Sequence, residues 1–245
     1  MPNEKPSAIF FDLDETLVEN RIPIRDLFAR MYFDFEQHLG VDNQELFFDV
    51  LRQRAANLWS TMFETDVSPE HQFVNCFRHC IAATGLKDKQ RSNALAQQMF
   101  DHFLQLSAHN VALHDGVEEV LLELSARGII TGIITNGIEQ IQLGKIHHLN
   151  LHEKVDHVTV SAQARAHKPL PQVFSLALKR ANVTANQAWQ IGDHVCNDVA
   201  GAIRSGMSGV FYNPEAKDVN DAFADLEETP THVIEHHNQI LELLL

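Results

Sequence analysis

Two pairs of aspartates are the residues of this sequence whose type and spacing could do chemistry. Asp12 and Asp14 follow the apolar run Ala8–Phe11, and a second pair, Asp193 and Asp198, follows another apolar run. Burying carboxylates beside apolar strands is costly unless a cation or hydrogen-bond donors compensate them. The pattern therefore predicts a site in which several acids are balanced by a metal ion or by well-placed cationic side chains.

Side chains suited to binding an anion lie between the two acid pairs. Thr135 and Asn136 follow the apolar run Ile129–Ile134 at the predicted start of a helix, where backbone N–H groups favour negative charge. Lys168 precedes Pro169, and a residue before proline is disfavoured in helical backbone. The lysine is therefore expected on a loop that leads into a helix.

Apolar periodicity predicts strands and helices that alternate after an initial strand. The predicted strands are Ala8–Phe11, Ile129–Ile134, His157–Val160, Ala188–Ile191 and Gly209–Phe211. Helical patterns separate the later strands, and this alternation predicts an α/β fold, a parallel sheet with helices on both faces. Each candidate side chain follows a strand, so all of them are expected at the carboxyl edge of the sheet, where such sheets bind ligands.

A long helical block separates the first strand from the others. Residues 20–108 carry helical periodicity without a strand pattern, and the first long helix is expected to stop at Gly40. Because a strand precedes this block and the other strands follow it, the block is predicted to be an insertion. The predicted organisation is an α/β core of residues 1–19 and 109–245 with a helical domain of residues 20–108.

Composition and charge exclude several classes of function. The formal net charge of -14 disfavours binding of a nucleic acid polymer. No apolar run reaches the length of a membrane span, which predicts no membrane partner. The three cysteines and the lack of a signal-peptide pattern predict a reducing, cytoplasmic location. Fifteen histidines occur without the spacing of a zinc site, and the expected oligomeric state is a monomer or homodimer.

Four motifs in a fixed order resemble the haloacid dehalogenase-like superfamily of phosphohydrolases. They are Asp-Leu-Asp-Glu-Thr from Asp12, Ile-Thr-Asn-Gly from Ile134, His-Lys-Pro from His167 and Gly-Asp-His-Val-Cys-Asn-Asp from Gly192. The resemblance covers residues 7–19 and 109–215. It implies a Rossmann-like α/β core with an inserted all-helical cap. It is closest to the cytoplasmic branch that includes pyrimidine 5'-nucleotidases and flavin mononucleotide phosphatases.

The resemblance also implies a role for each candidate residue. Asp12 would be the nucleophile that forms an aspartyl-phosphate, and Asp14 the general acid and then the general base. Mg²⁺ would be bound by Asp12, by Asp193 and by the main-chain carbonyl of Asp14. The phosphoryl oxygens would be held by Thr135, Asn136 and Lys168, and Asn136 could instead reach Asp12.

One carboxylate and three neighbouring side chains are less clearly assigned. Asp198 would orient Lys168 or a metal-bound water. Arg165 and His167 stand in a loop where related sequences often carry glycine, so either could intrude on the site. His194 and His167 each flank a proposed catalytic residue. Four carboxylates against one divalent cation and one lysine leave one negative charge uncompensated.

The predicted function is a Mg²⁺-dependent phosphomonoester hydrolase acting on a small phosphorylated metabolite. Nucleoside monophosphates, flavin mononucleotide and sugar phosphates are the candidate substrates. The alternatives are a phosphomutase, a 2-haloacid dehalogenase of the same fold, and a ligand-binding member without catalysis. Dehalogenases need neither a metal nor an acid at the position of Asp14, and the sequence has that acid.

Overall fold

The computed structural model describes residues 5–39 and 43–245, and its chain divides into two compact units. The α/β unit comprises the chain up to Asn20 together with Val111–Leu245, and the helical unit comprises Arg21–Asn110. This division lies within two residues of the predicted domain boundaries. The predicted helix stop at Gly40 lies outside the described residues.

A parallel sheet is the centre of the α/β unit. Among the described residues its strands are β1 (Ala8–Phe11), β4 (Ile130–Thr135), β5 (His157–Val160), β6 (Ala188–Gly192), β7 (Ser208–Tyr212) and β8 (His232–Ile234). They run in the order β5-β4-β1-β6-β7-β8, and every neighbouring pair is parallel. The prediction of an α/β fold with a parallel sheet is confirmed.

Helices connect these strands. The α-helices of this unit are α5 (Val117–Ala126), α6 (Glu139–His148), α7 (Ser161–Ala164), α8 (Pro171–Ala181), α9 (Gly201–Arg204), α10 (Val219–Ala222) and α11 (Gln239–Leu243). Short 3₁₀ helices cover Leu151–Glu153 and Ala185–Gln187, and a π-helix covers Val195–Ala200. The sequence predicts one continuous helix over residues 197–205, whereas the structure has the π-helix followed by α9.

Strand β1 is buried on both of its faces. Ile9 and Phe11 belong to a core on one side of the sheet, and Ala8 and Phe10 belong to a separate core on the other side. Successive strand side chains point to opposite faces, so a strand covered on both sides must be apolar throughout. This explains the uninterrupted apolar run that precedes Asp12.

A second, two-stranded sheet was not predicted from the sequence. Strand β2 (Val18–Asn20) pairs antiparallel with β3 (Val111–Leu113), and Asn20 lies opposite Val111. Three-residue strands are too short to show a period of two, which is why the pattern missed them. The pair joins the two chain segments that lead into and out of the helical unit.

The helical unit contains no strand among its described residues, as the sequence predicts. Its helices are α1 (Ile24–Leu39), α2 (Gln44–Thr61), α3 (Pro69–Ala83) and α4 (Lys89–His109). Buried aromatic rings pack between them, and Phe73 lies 5.2 Å from Phe77 and 5.8 Å from Phe100, measured between ring centroids. The aromatic stripes of this segment therefore form a core.

None of the helices in the described ranges is long and apolar enough to span a bilayer. The predicted cytoplasmic location and the predicted monomer or homodimer remain predictions.

Candidate active site

Sheet topology brings the candidate residues together at one edge. Strand β1 pairs with β4 on one side and with β6 on the other, so that Phe11 is level with Ile133 and with Ile191. Asp12 follows β1 and donates its N–H to the Ile191 carbonyl at 2.8 Å. The residues that follow three adjacent strands therefore meet around Asp12.

Lys168 occupies the centre of this cluster, although the residues that it contacts are at least 30 positions away in the sequence. Its Nζ donates to Asp12 Oδ1 at 2.6 Å, to Asp198 Oδ1 at 2.5 Å and to the Ile134 carbonyl at 2.8 Å. The lysine is 4% exposed, so all three donors of the ammonium are used away from water. Lys168 thus ties two carboxylates to the end of β4.

Asn136 holds the main chain of Lys168. Its Oδ1 accepts from the Lys168 N–H at 2.8 Å, and its Nδ2 donates to the Lys168 carbonyl at 3.2 Å. These contacts fix the loop that carries the lysine. They do not test whether Asn136 binds phosphate or reaches Asp12, which stays a prediction.

Asp193 and Asp198 are positioned by main-chain and hydroxyl donors. The Asp193 N–H donates to Thr16 Oγ1 at 3.1 Å, and that hydroxyl lies 3.3 Å from Asp193 Oδ1. Asp198 Oδ2 accepts from the His194 N–H at 3.2 Å, in the first turn of the π-helix. Gly192 leaves room for Asp198, because a Cβ there would lie 2.3 Å from the Asp198 Cγ.

Asp14 is bound by two side chains that sequence reasoning missed. Lys145 Nζ donates to Asp14 Oδ1 at 2.6 Å, and Gln142 Nε2 donates to Asp14 Oδ2 at 2.8 Å. Both residues come from the buried face of α6, the helix that follows Thr135. Their spacing of three places them on one helical face. Two polar residues on the otherwise apolar face of this helix were the available signal.

Burial raises the pKa of each carboxyl that surrounds Lys168. Burial raises the pKa of Asp193 to about 6, and the nearby Asp12 charge adds to it. The pKa values of Asp12 and Asp198 are also raised by burial, and the Lys168 ammonium opposes the rise. Burial alone would lower the pKa of Lys168, but the two carboxylates raise it above its ordinary value. The lysine therefore stays protonated.

The charges of the described site leave room for a divalent cation. Four carboxylates (Asp12, Asp14, Asp193 and Asp198) face two ammonium groups, those of Lys145 and Lys168, which leaves a formal charge of two negatives. The charge that the sequence left uncompensated is the one that Lys145 neutralises. Carboxylate oxygens of Asp12, Asp193 and Asp198 lie within 4.8 Å of one another, as a metal site requires. Hard oxygen ligands with two net negative charges fit a divalent ion.

The flanking residues whose roles the sequence left open make local contacts. Arg165 is exposed, and the ring of His167 contacts Ser161 Oγ at 3.1 Å. His194 Nδ1 accepts from the Asn197 N–H at 3.2 Å and so caps the π-helix. These contacts explain His167 and His194 as structural supports of the loops that carry the site.

The chain matches the family model described as haloacid dehalogenase-like hydrolase over residues 9–211. It belongs to this family, and the family prediction is confirmed. One curated relative is a glyceraldehyde 3-phosphate phosphatase from Pyrococcus furiosus, 37% identical over 131 residues. That match spans 53% of this chain and 53% of that protein, so the chain aligns with about half the length of this relative.

Two further proteins match over almost their full length. A ribulose-1,5-bisphosphate 5-phosphatase from Halopiger xanaduensis is 27% identical over 97% of this chain and 99% of its own. The crystal structure of a 2-haloacid dehalogenase from Pseudomonas syringae pv. Tomato DC3000 superposes with a TM-score of 0.77 at 26% identity, covering 97% of each chain. Both curated relatives carry the names of phosphatases, which supports the predicted class of enzyme, a phosphatase hydrolase.

Proposed function

We propose that this protein is a Mg²⁺-dependent phosphomonoesterase that works through an aspartyl-phosphate on Asp12. The observation that carries the proposal is the buried cluster in which Lys168 joins Asp12 to Asp198. A carboxylate oxygen of Asp193 lies within 4.8 Å of those of Asp12 and Asp198, and Asp14 follows Asp12 by two residues in the sequence. A nucleophile, an acid and a balancing cation are the parts that phosphoryl transfer needs.

The proposed chemistry has two steps. In the first, a carboxylate oxygen of Asp12 attacks phosphorus, the bond to the leaving oxygen breaks, and protonated Asp14 gives that oxygen its proton. In the second, Asp14 removes a proton from water, the water oxygen attacks the same phosphorus, and the bond to Asp12 breaks. Phosphate and the free alcohol are the products, and both aspartates return to their starting states.

Lys168 and Thr135 would stabilise the phosphoryl oxygens. The Lys168 ammonium already contacts Asp12, so it lies beside the atom that attacks. Fixed positive charge in a buried site stabilises developing charge without reorganisation. Asn136 contributes by fixing the main chain of Lys168.

The residues that would hold Mg²⁺ are Asp12, Asp193 and the main-chain carbonyl of Asp14. Asp198 stays behind them, since its two carboxylate oxygens already accept from Lys168 and from His194. When bound, the ion supplies charge compensation for the phosphate and for the clustered carboxylates.

The substrate that we propose is a small sugar or polyol monophosphate. The curated relatives are named for a triose phosphate and for a pentulose bisphosphate. A cavity of about 430 Å³ beside Asp193, within the α/β unit, has the size of a small-ligand site. Its lining includes Glu15, Glu19 and Glu215 with Lys217, so its net charge disfavours a second phosphate. We therefore expect monophosphates to be better substrates than bisphosphates. We also propose that the helical unit acts as the cap.

The test is phosphate release from a panel of sugar phosphates, nucleoside monophosphates, flavin mononucleotide and p-nitrophenyl phosphate. We expect release that requires Mg²⁺, stops with chelator and is lost in Asp12→Asn. Asp225→Asn, which changes an exposed aspartate of the same unit, is the matched control and should keep full activity. Release that persists in Asp12→Asn would refute the proposed nucleophile, and chelator-resistant release would refute the metal requirement.

A 2-haloacid dehalogenase is the second candidate, favoured by the similarity to the Pseudomonas syringae enzyme. Chloride release from 2-chloropropionate in the presence of chelator would establish it. Asp14 argues against this activity, because a dehalogenase needs no acid at this position. A phosphomutase would instead convert hexose 1-phosphates without releasing phosphate.

A further inference from the structure

Two side chains of α6 enclose the Asp14 carboxylate from both oxygens. Lys145 binds Oδ1 at 2.6 Å, and Gln142 binds Oδ2 at 2.8 Å. The side chain of Lys145 is 11% exposed and that of Asp14 is 32% exposed. This ion pair is therefore less hydrated than the Lys154–Glu118 pair of the same unit, whose side chains are 34% and 59% exposed. The two bonds, one to each carboxylate oxygen, fix the orientation of the Asp14 side chain.

Gln142 joins Asp14 to Thr135. Its Nε2 also donates to Thr135 Oγ1 at 2.6 Å, so one amide nitrogen uses both of its hydrogens on the two functional residues. This orientation of the amide places its two hydrogens opposite a carboxyl oxygen and a hydroxyl oxygen, both of which can accept a hydrogen bond. Gly137 permits this placement, since a Cβ there would lie 2.6 Å from the Gln142 Cγ.

The Gln142 bond also determines what the Thr135 hydroxyl can do. A hydroxyl has one donor hydrogen and two acceptor lone pairs, and Gln142 uses one lone pair. The contact of Thr135 Oγ1 with the Asn136 carbonyl is long, at 3.4 Å. The hydroxyl hydrogen is consequently available to donate to a phosphoryl oxygen.

We propose that Gln142 and Lys145 are positioning residues that hold Asp14 for proton transfer and orient Thr135 as a donor to phosphate. The proposal rests on the proposed phosphatase function for its kinetic readout. Both residues act through Asp14 or Thr135, since their contacts are with these side chains and not with phosphorus or with the attacking carboxylate of Asp12. Partners that orient the groups of an active site typically contribute 10- to 100-fold, as outer-shell residues of metal sites do.

The kinetic test compares Lys145→Met with wild type on phenyl phosphate and p-nitrophenyl phosphate. The nitrophenolate leaves without a proton, whereas the phenol needs the acid. We expect kcat/KM for phenyl phosphate to fall about 10- to 100-fold and kcat/KM for p-nitrophenyl phosphate to change less than about threefold. In the Asp14→Asn variant, adding Lys145→Met should not lower kcat/KM for phenyl phosphate any further. The positioning role would be overturned if Lys145→Met lowered kcat/KM equally for both esters, or if it lowered kcat/KM as much in Asp14→Asn as in wild type.

Gln142→Met tests the second half of the proposal. Loss of the bond to Thr135 should raise the inhibition constant of inorganic phosphate several-fold, whereas Lys145→Met should leave that constant within about twofold. Gln140→Met, on the exposed face of α6, and Lys154→Met are the matched controls and should resemble wild type. An inhibition constant that is unchanged in Gln142→Met would refute the link to Thr135.

Thermal melting separates failure of this proposal from failure of the proposed function. If the Lys145–Asp14 contact exists, Lys145→Met and Asp14→Asn together should lower Tm by less than the sum of their single effects. Additive effects would overturn the contact. Wild-type protein that hydrolyses neither aryl ester in Mg²⁺ would count against the phosphatase function. The Tm values of the two single variants and the double variant would then still test the Lys145–Asp14 contact.

Discussion

Lys168→Met removes the ammonium that binds two buried carboxylates and keeps the aliphatic stem of the side chain. Lys168 and Asp198 have side chains that are 2% and 1% exposed, and that of Asp12 is 12% exposed. The variant therefore leaves two carboxyl groups side by side without their cation and with little access to water. The cost comes from these carboxyls, which must either stay charged without a partner or bind a proton, and not from lost packing.

The expected loss in the free energy of unfolding is about 3–5 kcal/mol. This is the range for removing one partner of a buried ion pair. The Ile134 carbonyl also loses its donor, although that bond is a smaller contribution than the carboxylates. Since 1.4 kcal/mol is a factor of ten, the folding equilibrium should weaken by roughly 100- to 4,000-fold. Such a loss is a large part of the total stability of a domain.

Urea unfolding followed by the fluorescence of Trp189 measures this loss in the α/β unit. Trp189 is a core residue of β6, whereas Trp59 is 45% exposed in the helical unit and can be replaced by phenylalanine to remove its signal. The titration is done at pH 8 with chelator. Lys154→Met is the matched control, because an exposed ion pair contributes at most about 1 kcal/mol.

A second substitution distinguishes stranded charge from lost structure. In Lys168→Met, the further change Asp198→Asn removes one of the two uncompensated charges and should restore at least about 1 kcal/mol. The reasoning is refuted if Lys168→Met costs less than about 1 kcal/mol, the range of an exposed pair. It is equally refuted if the double variant is no more stable than the single one.

Two further outcomes are expected. Burial lowers the pKa of His237 to about 4, below the unfolded value of 6.5. Between these pH values the unfolded chain binds more protons than the folded one. The free energy of unfolding should therefore fall by about 3 kcal/mol as the pH drops from 6.5 to 4. Urea titrations at pH 4.5 and pH 7 measure this change. The difference in the free energy of unfolding between the two pH values should be smaller in His237→Phe than in wild type and unchanged in His236→Gln, whose side chain is exposed. Equal differences in all three proteins would contradict the prediction. Gly192→Ala should displace Asp198 and reduce Mg²⁺ affinity at least tenfold, as measured by calorimetry, and wild-type affinity would contradict the crowding.

The sequence by itself determined the architecture of the α/β unit. Strand β1 is a single buried apolar run, and the later strands alternate with amphipathic helices, so that local patterns predict a parallel sheet. Parallel strands end at one edge, which is why Asp12, Thr135 and Asp193 could be predicted to converge without knowing any contact. Motif order then pointed to the family.

The sequence did not reveal Gln142 and Lys145 as parts of the site. Polar residues on an amphipathic helix usually face solvent, and a helical period does not say what its neighbours are. Only the pairing of β1 with β4 places α6 beside the turn after Asp12, and the contact joins residues 131 positions apart. A local pattern has no information about such a pair.

The division of roles between side chains was likewise decided by tertiary structure. Asn136 is adjacent to Thr135 in a motif, yet its amide binds the main chain of Lys168, because the loop after β5 folds back across the end of β4. Residue types and spacing determined which groups stand at the strand ends, and carboxylates with a lysine and a threonine are groups that can bind a cation and an anion. Packing decided which charges are neutralised, because burial and distance exist only once the strands are paired.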